Sequence, residues 1–305
     1  MRPIRNRDPE TYRLITIRTS EARLWLTPSS NVAKLVGGVL ARYQELLEIV
    51  IYAYCFLGNH FHLLIKAPKG NTDEFCENVN REIARRLNWH HKRVGQFWGR
   101  RYDDQAVLSE DDLLEAFLYI NTNPTRHGLV ADSSEWSGLN SFKHSIDERD
   151  RTFSFRHYSE EGHPVTSHKL KISPLPQFEG LTGVERKARV QELLNARQAS
   201  LVKAREDRNQ GFLGLSAVRS QTPGEKPIAS SSSPRPHCYS KSPLLIREFR
   251  KSLRQRRLAY WIASVRYRLG VDAVFPEHSF KPPLHRLPRL TPFQLMTIAH
   301  LKTMS

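Results

Sequence analysis

The sequence has little cysteine and no long apolar run, and both absences exclude whole classes of protein. Its three cysteines, Cys55, Cys76 and Cys238, lie far apart and form no CxxC pair. This spacing argues against disulfides and a structural zinc site and suits a reducing compartment. The longest apolar run, Ile49 to Leu57, falls far short of the roughly 20 residues that a bilayer-spanning helix needs. Without a secretory signal pattern near Met1, we expect a cytoplasmic protein with no membrane partner.

Acidic residues are also scarce relative to basic ones. Lys and Arg number 47 and Asp and Glu 31, which gives a net charge of +16. An excess of this size favours a polyanionic partner such as nucleic acid. A basic RNA-associated protein fits the charge equally well, and an anionic membrane ranks last. Hydrophobic residues make up 39% of the 305 residues, which is enough for a globular core and argues against wholesale disorder.

The first half of the chain shows alternating strand and helix patterns. Tyr12 to Thr19 is rich in β-branched and aromatic residues and predicts a first strand. Asn31 is a predicted helix cap, because apolar residues recur after it at the three-and-four spacing of a buried helical face. Ile49 to Phe56 and Phe61 to Lys66 flank a Leu-Gly-Asn turn and predict a hairpin. A second helix is predicted from Thr72 or Asp73.

The last part of this half predicts one more strand and one more helix. Tyr102 to Leu108 has the strand pattern, and Ser109 with an acidic residue three positions later predicts a helix start. This helix must stop near Asn123, because Pro124 disfavours helical geometry in the residue before it. The order β-α-β-β-α-β-α predicts an α+β fold of the ferredoxin-like split βαβ kind, an antiparallel sheet with helices on one face.

The second half divides by composition. Val184 to Arg208 predicts a polar amphipathic helix, and Gln221 to Ser242 is rich in Ser and Pro, as linkers are. Arg247 to Leu269 alternates basic with apolar or aromatic residues, which suits a helix on nucleic acid and equally a helix whose charged side faces water. We therefore expect four parts: a compact unit at 1–150, a helical extension at 151–218, a linker at 219–242 and a basic, partly disordered region at 243–305.

Two short motifs carry possible chemistry. His60 and His62 lie two apart on a predicted strand, so both imidazoles face the same side and can chelate a divalent ion. Tyr119 and Asn123 lie four apart on a predicted helix and share a face. Tyrosine is a capable nucleophile toward phosphorus, and the amide oxygen of Asn123 is a plausible third ligand. Each motif alone is weak evidence, because such residues more often serve packing, solvation or turns.

Together, these motifs resemble those of the single-tyrosine HUH transposases, most closely the repeat-associated tyrosine transposases. The matching stretches are Tyr54 to Leu64, Phe97 to Tyr102, the Tyr-Ile-x-x-Asn-Pro segment that begins at Tyr119, Gly128 to Val130, and Trp136-Ser137. The resemblance covers roughly residues 10 to 145. It departs from the family at Gly58, where Pro is common, and at Asn123, where the shortest insertion-sequence enzymes usually have Gln.

The resemblance implies a transposase-like endonuclease and strand transferase acting on single-stranded, hairpin-forming DNA. In that family pattern His60, His62 and Asn123 hold Mg²⁺ or Mn²⁺, and residues 1–150 form the catalytic domain. Tyr119 attacks the scissile phosphate, which gives a 5′-phosphotyrosine intermediate and a free 3′-OH, and a second 3′-OH reverses the step. Expected DNA contacts, chosen by residue type, are Arg81, Arg85, Trp98, Arg100 and Arg101. Both a monomer and a homodimer fit the resemblance.

Two other functions compete with this one. A domesticated DNA-binding protein would keep the fold and recognise DNA sequence without catalysis, but it has no need of all four of His60, His62, Tyr119 and Asn123. A basic RNA-binding protein would carry the motifs by coincidence and prefer structured RNA to DNA hairpins.

Overall fold

The computed structural model describes residues 7–227 and 236–282. The chain forms two compact units. The larger unit runs from Pro9 to Lys241, and the smaller one combines Met1–Asp8 with Ser242–Ser305. Residues 151–218, which the sequence suggested as a separate extension, lie within the larger unit.

A five-stranded sheet forms the centre of the larger unit. Its strands are β1 (Arg13–Arg18), β2 (Val50–Phe56), β3 (His60–Lys66), β4 (Asp103–Val107) and β7 (Cys238–Tyr239). They lie in the order β2-β3-β1-β4-β7, and all neighbours are antiparallel except β4 and β7. The predicted α+β class and antiparallel sheet are confirmed, and the order β2-β3-β1-β4 is compatible with a split βαβ arrangement.

Helices cover both faces of this sheet, so the prediction of helices on one face only is wrong. On one face α1 (Ser30–Leu47) and α2 (Thr72–His90) pack on Ile15 and Ile17. On the other face α3 (Glu110–Asn121) packs on Leu14 and Leu64, and α6 (Gly183–Glu206) packs against α3 and adds Val190 and Leu194 to the same core. The physical reason is that neighbouring residues of β1 and β3 are apolar on opposite faces, and each face must be buried.

Helix ends are fixed by side-chain caps. Ser29 caps α1 by accepting a hydrogen bond from the Val32 amide, two residues before the predicted cap at Asn31. Ser109 caps α3 as predicted, accepting from the Asp112 amide at 3.1 Å. However, α3 ends at Asn121, and a short helix α4 (Asn123–Arg126) begins after Thr122 with Pro124 in its first turn. Asn123 is therefore not on the same helix as Tyr119, because Pro suits the start of a helix and not its interior.

The remaining segments of the larger unit pack around this centre. A two-stranded sheet of β5 (Arg151–Arg156) and β6 (Val165–Leu170) lies against α1. A short helix, α5 (Phe142–Asp147), packs on α6, which begins with a Thr182–Glu185 capping box, and α7 (Leu215–Ser220) follows. Within the expected linker at 219–242, residues 228–235 lie outside the described residues, and the segment after them contributes β7 to the sheet.

The described residues of the smaller unit form one long helix and a returning segment. Helix α8 (Pro243–Arg268) is capped by Ser242 and matches the basic stretch expected at Arg247 to Leu269. The segment after it places Phe275 between Tyr260 and Tyr267, with ring centroids 5.6 and 5.7 Å away. Over the part of the chain that the structure describes, every helix is too short or too polar to cross a bilayer.

Candidate active site

Two histidines at the start of β3 form the centre of the candidate site. His60 and His62 lie side by side with ring centroids 5.0 Å apart, and both are buried. The pairing of β1 with β3 sets Arg18 opposite His60 and Thr16 opposite His62. The exposed His127 lies 5.6 Å from His60, measured between ring centroids. The predicted pairing of the two imidazoles on one face of a strand is therefore what the structure has.

Each of the two histidines is held through its Nδ1 atom. His60 Nδ1 lies 2.6 Å from Oδ1 of Asn59, an acceptor, so this nitrogen carries the proton. His62 Nδ1 lies 2.8 Å from Oγ1 of Thr16, which can accept the same kind of bond. With both protons on Nδ1, each Nε2 atom keeps a lone pair, the arrangement that metal-ligating histidines have.

Burial keeps both imidazoles neutral. It lowers the pKa of His60 well below its ordinary value, and the neighbouring His62 and His127 lower it further. Burial likewise lowers the pKa of His62 to about 3, with added repulsion from His127 and Arg18. Since only a neutral imidazole can donate a lone pair, both side chains are in the ligating form at neutral pH.

Tyr119, on α3, lies over the same face of the sheet as His60 and His62. Its phenolic oxygen lies 3.4 Å from Nε2 of His62, the long limit of a hydrogen bond, and the two ring centroids are 5.2 Å apart. The Arg126 guanidinium lies 5.3 Å from the centroid of the tyrosine ring. Burial raises the pKa of Tyr119, while interactions with Asn123 and Arg126 partly offset that rise. The phenol is therefore protonated at neutral pH.

Asn123 is the least satisfied polar residue of the site. Its side chain is fully buried, and its amide atoms approach the Tyr119 phenol but make no hydrogen bond of good geometry with any of the described residues. An unsatisfied buried amide costs about 1–3 kcal/mol, so such a group calls for a functional reason. An oxygen ligand beside two imidazoles suits Mg²⁺ or Mn²⁺. The donor set of His60, His62 and Asn123 therefore fits a divalent ion.

Asn121, two residues earlier, is fully bonded and anchors the end of α3. Its amide nitrogen donates to the Phe117 carbonyl at 3.0 Å, and its oxygen accepts from the hydroxyls of Ser141 and Ser145. The Ser141 hydroxyl also accepts from the backbone amide of Tyr54 in β2. This buried network ties the end of α3 to the sheet and thereby fixes Tyr119 beside β3.

A cleft of about 830 Å³ opens over these residues. His60, His62 and Tyr119 line it, whereas Asn123 lies beneath its surface. The lining also includes five cations: Arg18, Arg100, Arg126, Arg197 and Lys241. Among the described residues no group of three or more His, Cys, Asp or Glu is arranged to hold a metal.

Three of the cations are paired within the cleft. Arg100 pairs with Asp103 at 3.0 Å, and Glu115 pairs with both Lys241 and Arg197. Arg18 and Arg126, by contrast, make no ion pair with a carboxylate anywhere in residues 7–227 or 236–282. These two guanidinium groups are the ones left to meet an anionic ligand.

Several lining residues come from parts of the chain that the sequence did not assign to the site. Tyr239, in β7, lies with its ring centroid 6.5 Å from that of Tyr119. Lys241 follows β7, and Arg197 lies in α6. A two-residue strand has no recognisable sequence pattern, so no sequence signal assigned Tyr239 or Lys241 to the site. Thr16 and Arg18 did have a signal, since period two on β1 places both on the face of the histidines.

The five expected DNA contacts are dispersed. Only Arg100 lines the cleft. Arg81 and Arg85 lie on α2, where they bond to Asn78 and Glu82, and Arg101 lies over the ring of Tyr102. The Trp98 indole donates to the Asn80 carbonyl and packs on Phe61 and Phe97, so its ring is half-buried. Their role in DNA binding stays a prediction.

Comparison with known proteins shows which proteins part of this chain is similar to. Residues 11–123 match the family model described as "Transposase IS200 like". The resemblance to single-tyrosine transposases is confirmed for that segment, which contains His60, His62, Tyr119 and Asn123.

Individual relatives are repeat-associated members. The chain is similar to a putative REP-associated tyrosine transposase of Haemophilus influenzae, with 27% identity over 96 residues. It is also similar to the REP-associated tyrosine transposase of Escherichia coli, with 30% identity over 86 residues. Each match covers 28% of this chain, and the chain spans about half the length of these relatives, 54% and 50%. A solved REP-associated tyrosine transposase bound to a REP hairpin is 20% identical with a TM-score of 0.39, covering 48% of this chain and 83% of that one.

Proposed function

We propose that this protein is a transposase-like enzyme that cleaves and rejoins single-stranded DNA at hairpin-forming sites, with Tyr119 as nucleophile. The observation that carries the proposal is the 3.4 Å approach of the Tyr119 hydroxyl to the lone-pair nitrogen of His62, in a cleft with two unpaired guanidinium groups. A merely structural tyrosine has no need of neutral, buried histidines and an unsatisfied amide beside it. The proposal holds for a monomer and for a homodimer.

The cleft residues would first position the DNA backbone. Arg18 and Arg126 flank His60 and Tyr119 and lack carboxylate partners among the described residues, so they are suited to bind phosphates on either side of the scissile one. The Tyr239 ring lies beside Tyr119 and offers a surface on which a neighbouring base can stack. The Arg100–Asp103 pair at the cleft wall would orient the strand.

Chemistry would then take place at one phosphodiester. The Tyr119 oxygen bonds to phosphorus as the bond to the 3′-oxygen breaks, which leaves a 5′-phosphotyrosine and a 3′-OH. The phenol loses one proton and the leaving 3′-oxygen gains one, so the step needs no other reactant. Arg126 beside the ring favours the negative charge that develops on the phenolic oxygen. A divalent ion held by His60, His62 and Asn123 would act as a Lewis acid toward a non-bridging phosphate oxygen.

A denaturing gel tests this function. Labelled single strands from DNA that flanks the gene are mixed with the protein and Mg²⁺ or Mn²⁺, and a protein-linked band is expected. Tyr119→Phe and EDTA should each abolish it, and Tyr158→Phe, at a distant surface tyrosine, should leave it unchanged. If Tyr239→Phe removes the band while Tyr119→Phe keeps it, the nucleophile is Tyr239 instead. Shifted complexes without any cleavage, across several flanking sequences, would favour a DNA-binding protein without catalysis.

A further inference from the structure

Helix α8 carries far more positive charge than its own packing uses. Its 26 residues include eight Lys or Arg and the single acidic residue Glu248. Like charges three and four residues apart on a helix repel and destabilise it by a few tenths of a kcal/mol per pair. The excess therefore costs stability in the isolated unit, and a binding partner is one way to offset that cost.

One face of α8 is occupied by the smaller unit itself. The rings of Tyr260 and Tyr267 contact Phe275, and the Arg256 guanidinium donates to the Glu277 carbonyl. At 100° per residue, positions 256, 260, 263 and 267 lie within one narrow sector of the helix. This sector is covered by the returning segment, so it needs no other partner.

The opposite face carries four cations, which we name the basic arc: Arg247, Arg250, Lys251 and Arg254. All four side chains are exposed, and none makes a hydrogen bond or an ion pair with any of the described residues. Their spacing of three, one and three places them within an arc of about 100° and a length of about 10 Å along the helix axis. The basic arc is therefore a compact cationic surface that nothing in the described structure neutralises.

The shape of the basic arc favours a nucleic-acid backbone over a membrane. A helix that lies on a bilayer needs a broad apolar face as well as cations, and the exposed apolar residues next to the arc are only Leu244 and Leu258. A DNA strand presents one phosphate per about 3.4 Å of helix axis, so 10 Å of duplex offers about three phosphates per strand. Four guanidinium or ammonium groups over that length match this charge density.

We propose that the basic arc of α8 binds the phosphate backbone of double-stranded DNA, independently of base sequence. In the context of the proposed function, on which the choice of DNA rests, the duplex is the stem of the hairpin next to the cleaved strand. Such contacts would add affinity without specificity, because phosphates carry no direct sequence information.

Salt dependence of binding tests the proposal in the full chain. The four arc residues are changed together to Gln, and affinity for a labelled DNA duplex is measured by fluorescence anisotropy over a range of NaCl concentrations. The plot of log K against log salt has a negative slope, and each lost phosphate contact makes that slope shallower by about 0.9. The fourfold variant should therefore have a slope shallower than wild type by about 3.6. A double variant, Arg247→Gln with Arg250→Gln, should have a slope shallower than wild type by about 1.8.

The matched control removes the same charge elsewhere. Lys34, Lys143, Arg208 and Arg219 are exposed, lie in the larger unit and have no ion-pair partner among the described residues. Changing these four to Gln should alter the slope by less than about 1. Equal slopes for the two fourfold variants would overturn the proposal, because net charge alone would then explain binding.

Two further measurements complete the test. One compares DNA with other polyanionic partners, and the other tests the proposed function separately from the basic arc. Tighter, arc-dependent binding to an RNA hairpin of the same sequence, or to vesicles containing anionic lipid, would overturn the choice of DNA. Tyr119→Phe should keep the wild-type slope, whereas the arc variant should still form the covalent adduct when the hairpin-forming DNA strand is present in saturating excess. An absent adduct with a normal slope change would reject the proposed function and leave the basic arc standing.

Discussion

The phenolic oxygen of Tyr119 lies 3.4 Å from Nε2 of His62, although the two residues are 57 positions apart in the chain. The approach depends on the orientation of the His62 ring, which Thr16 fixes by its contact with Nδ1 at 2.8 Å. It depends equally on the buried network around Asn121, which holds the end of α3 against the sheet. The candidate nucleophile and a candidate metal ligand are thus positioned by two separate sets of hydrogen bonds.

Thr16 should influence metal binding without touching the ion. Thr16→Val removes the hydroxyl that bonds to Nδ1 of His62, so the ring loses its fixed tautomer and orientation. We expect Mn²⁺ affinity to fall by about 10–100-fold, the usual effect of losing such an outer partner. Thr16→Ser keeps a hydroxyl and should retain most of the affinity. Isothermal titration with Mn²⁺ measures both, and equal affinities for Thr16→Val and wild type would show that His62 does not ligate the ion.

Asn121 and Asn123 provide a matched pair for stability. Both side chains are fully buried, yet Asn121 makes three hydrogen bonds, whereas Asn123 makes none of good geometry with the described residues and only approaches the Tyr119 phenol. Asn121→Ala leaves two serine hydroxyls and one carbonyl without their partner, and we expect it to lower the free energy of unfolding by about 2–3 kcal/mol. Asn123→Ala removes an unsatisfied amide, so it should lower that free energy by less than about 1 kcal/mol.

Urea unfolding of the two variants, followed by circular dichroism, measures the difference. Asn123→Ala should also remove the Mg²⁺- or Mn²⁺-dependent adduct while the protein stays folded. A loss of stability for Asn123→Ala as large as for Asn121→Ala would mean that the Asn123 amide has bonds in solution, and would remove the argument for it as a ligand.

The sequence was sufficient for the histidine hairpin and the capped start of α3, because both depend on local patterns. The alternation around His60 and the Ser109 cap are confirmed by the strand register and the cap bond. The sequence was insufficient where segments that are distant in the chain meet in the fold. The packing of α6 on the second face, and Tyr239 beside Tyr119, depend on chain returning from beyond residue 180. The predicted stop near Asn123 agrees with the end of α3 at Asn121, but the short helix that begins at Asn123 was missed because Pro124 starts a helix as readily as it stops one.

Stability should fall as the pH is lowered from about 6.5 toward 4. Burial lowers the pKa of His144 to about 4, with repulsion from Arg151 adding to the shift. Between these pH values the unfolded chain binds a proton that the folded chain does not, so protons favour unfolding. A shift of this size corresponds to at most about 3 kcal/mol. The pKa values of His62 and His60 are also lowered, so these residues likewise make the free energy of unfolding fall as the pH is lowered.

Free energies of unfolding at several pH values check this expectation. His144→Gln loses the contact with Tyr54, so it should be less stable at pH 7. Its stability should nevertheless depend less steeply on pH between 6.5 and 4, because one titrating group is gone. A variant with the same slope as wild type would show that His144 is accessible to protons in the folded state.

The packing of the β5–β6 sheet on α1 makes Gly38 a sensitive position. A methyl group there would overlap the backbone carbonyl oxygen of Ser154, which cannot rotate away. Alanine in place of glycine within a helix gains about 0.5–1 kcal/mol, but overpacking of this kind costs about 1–3 kcal/mol. The steric cost outweighs the gain, so we expect Gly38→Ala to lower the free energy of unfolding by about 1–2 kcal/mol.

Alanine substitutions at two other glycines allow the steric cost at Gly38 to be compared with smaller ones. Gly37→Ala would meet only the ring of Phe153, a side chain that can shift, so its loss should be smaller than that of Gly38→Ala. Gly180→Ala meets no atom within 4 Å and should change stability by no more than about 0.5 kcal/mol. Thermal unfolding of the three variants gives the order. If Gly38→Ala is as stable as Gly180→Ala, residues 151–170 do not pack on α1 in solution, and they would then form a part separate from residues 1–150 rather than one unit with them.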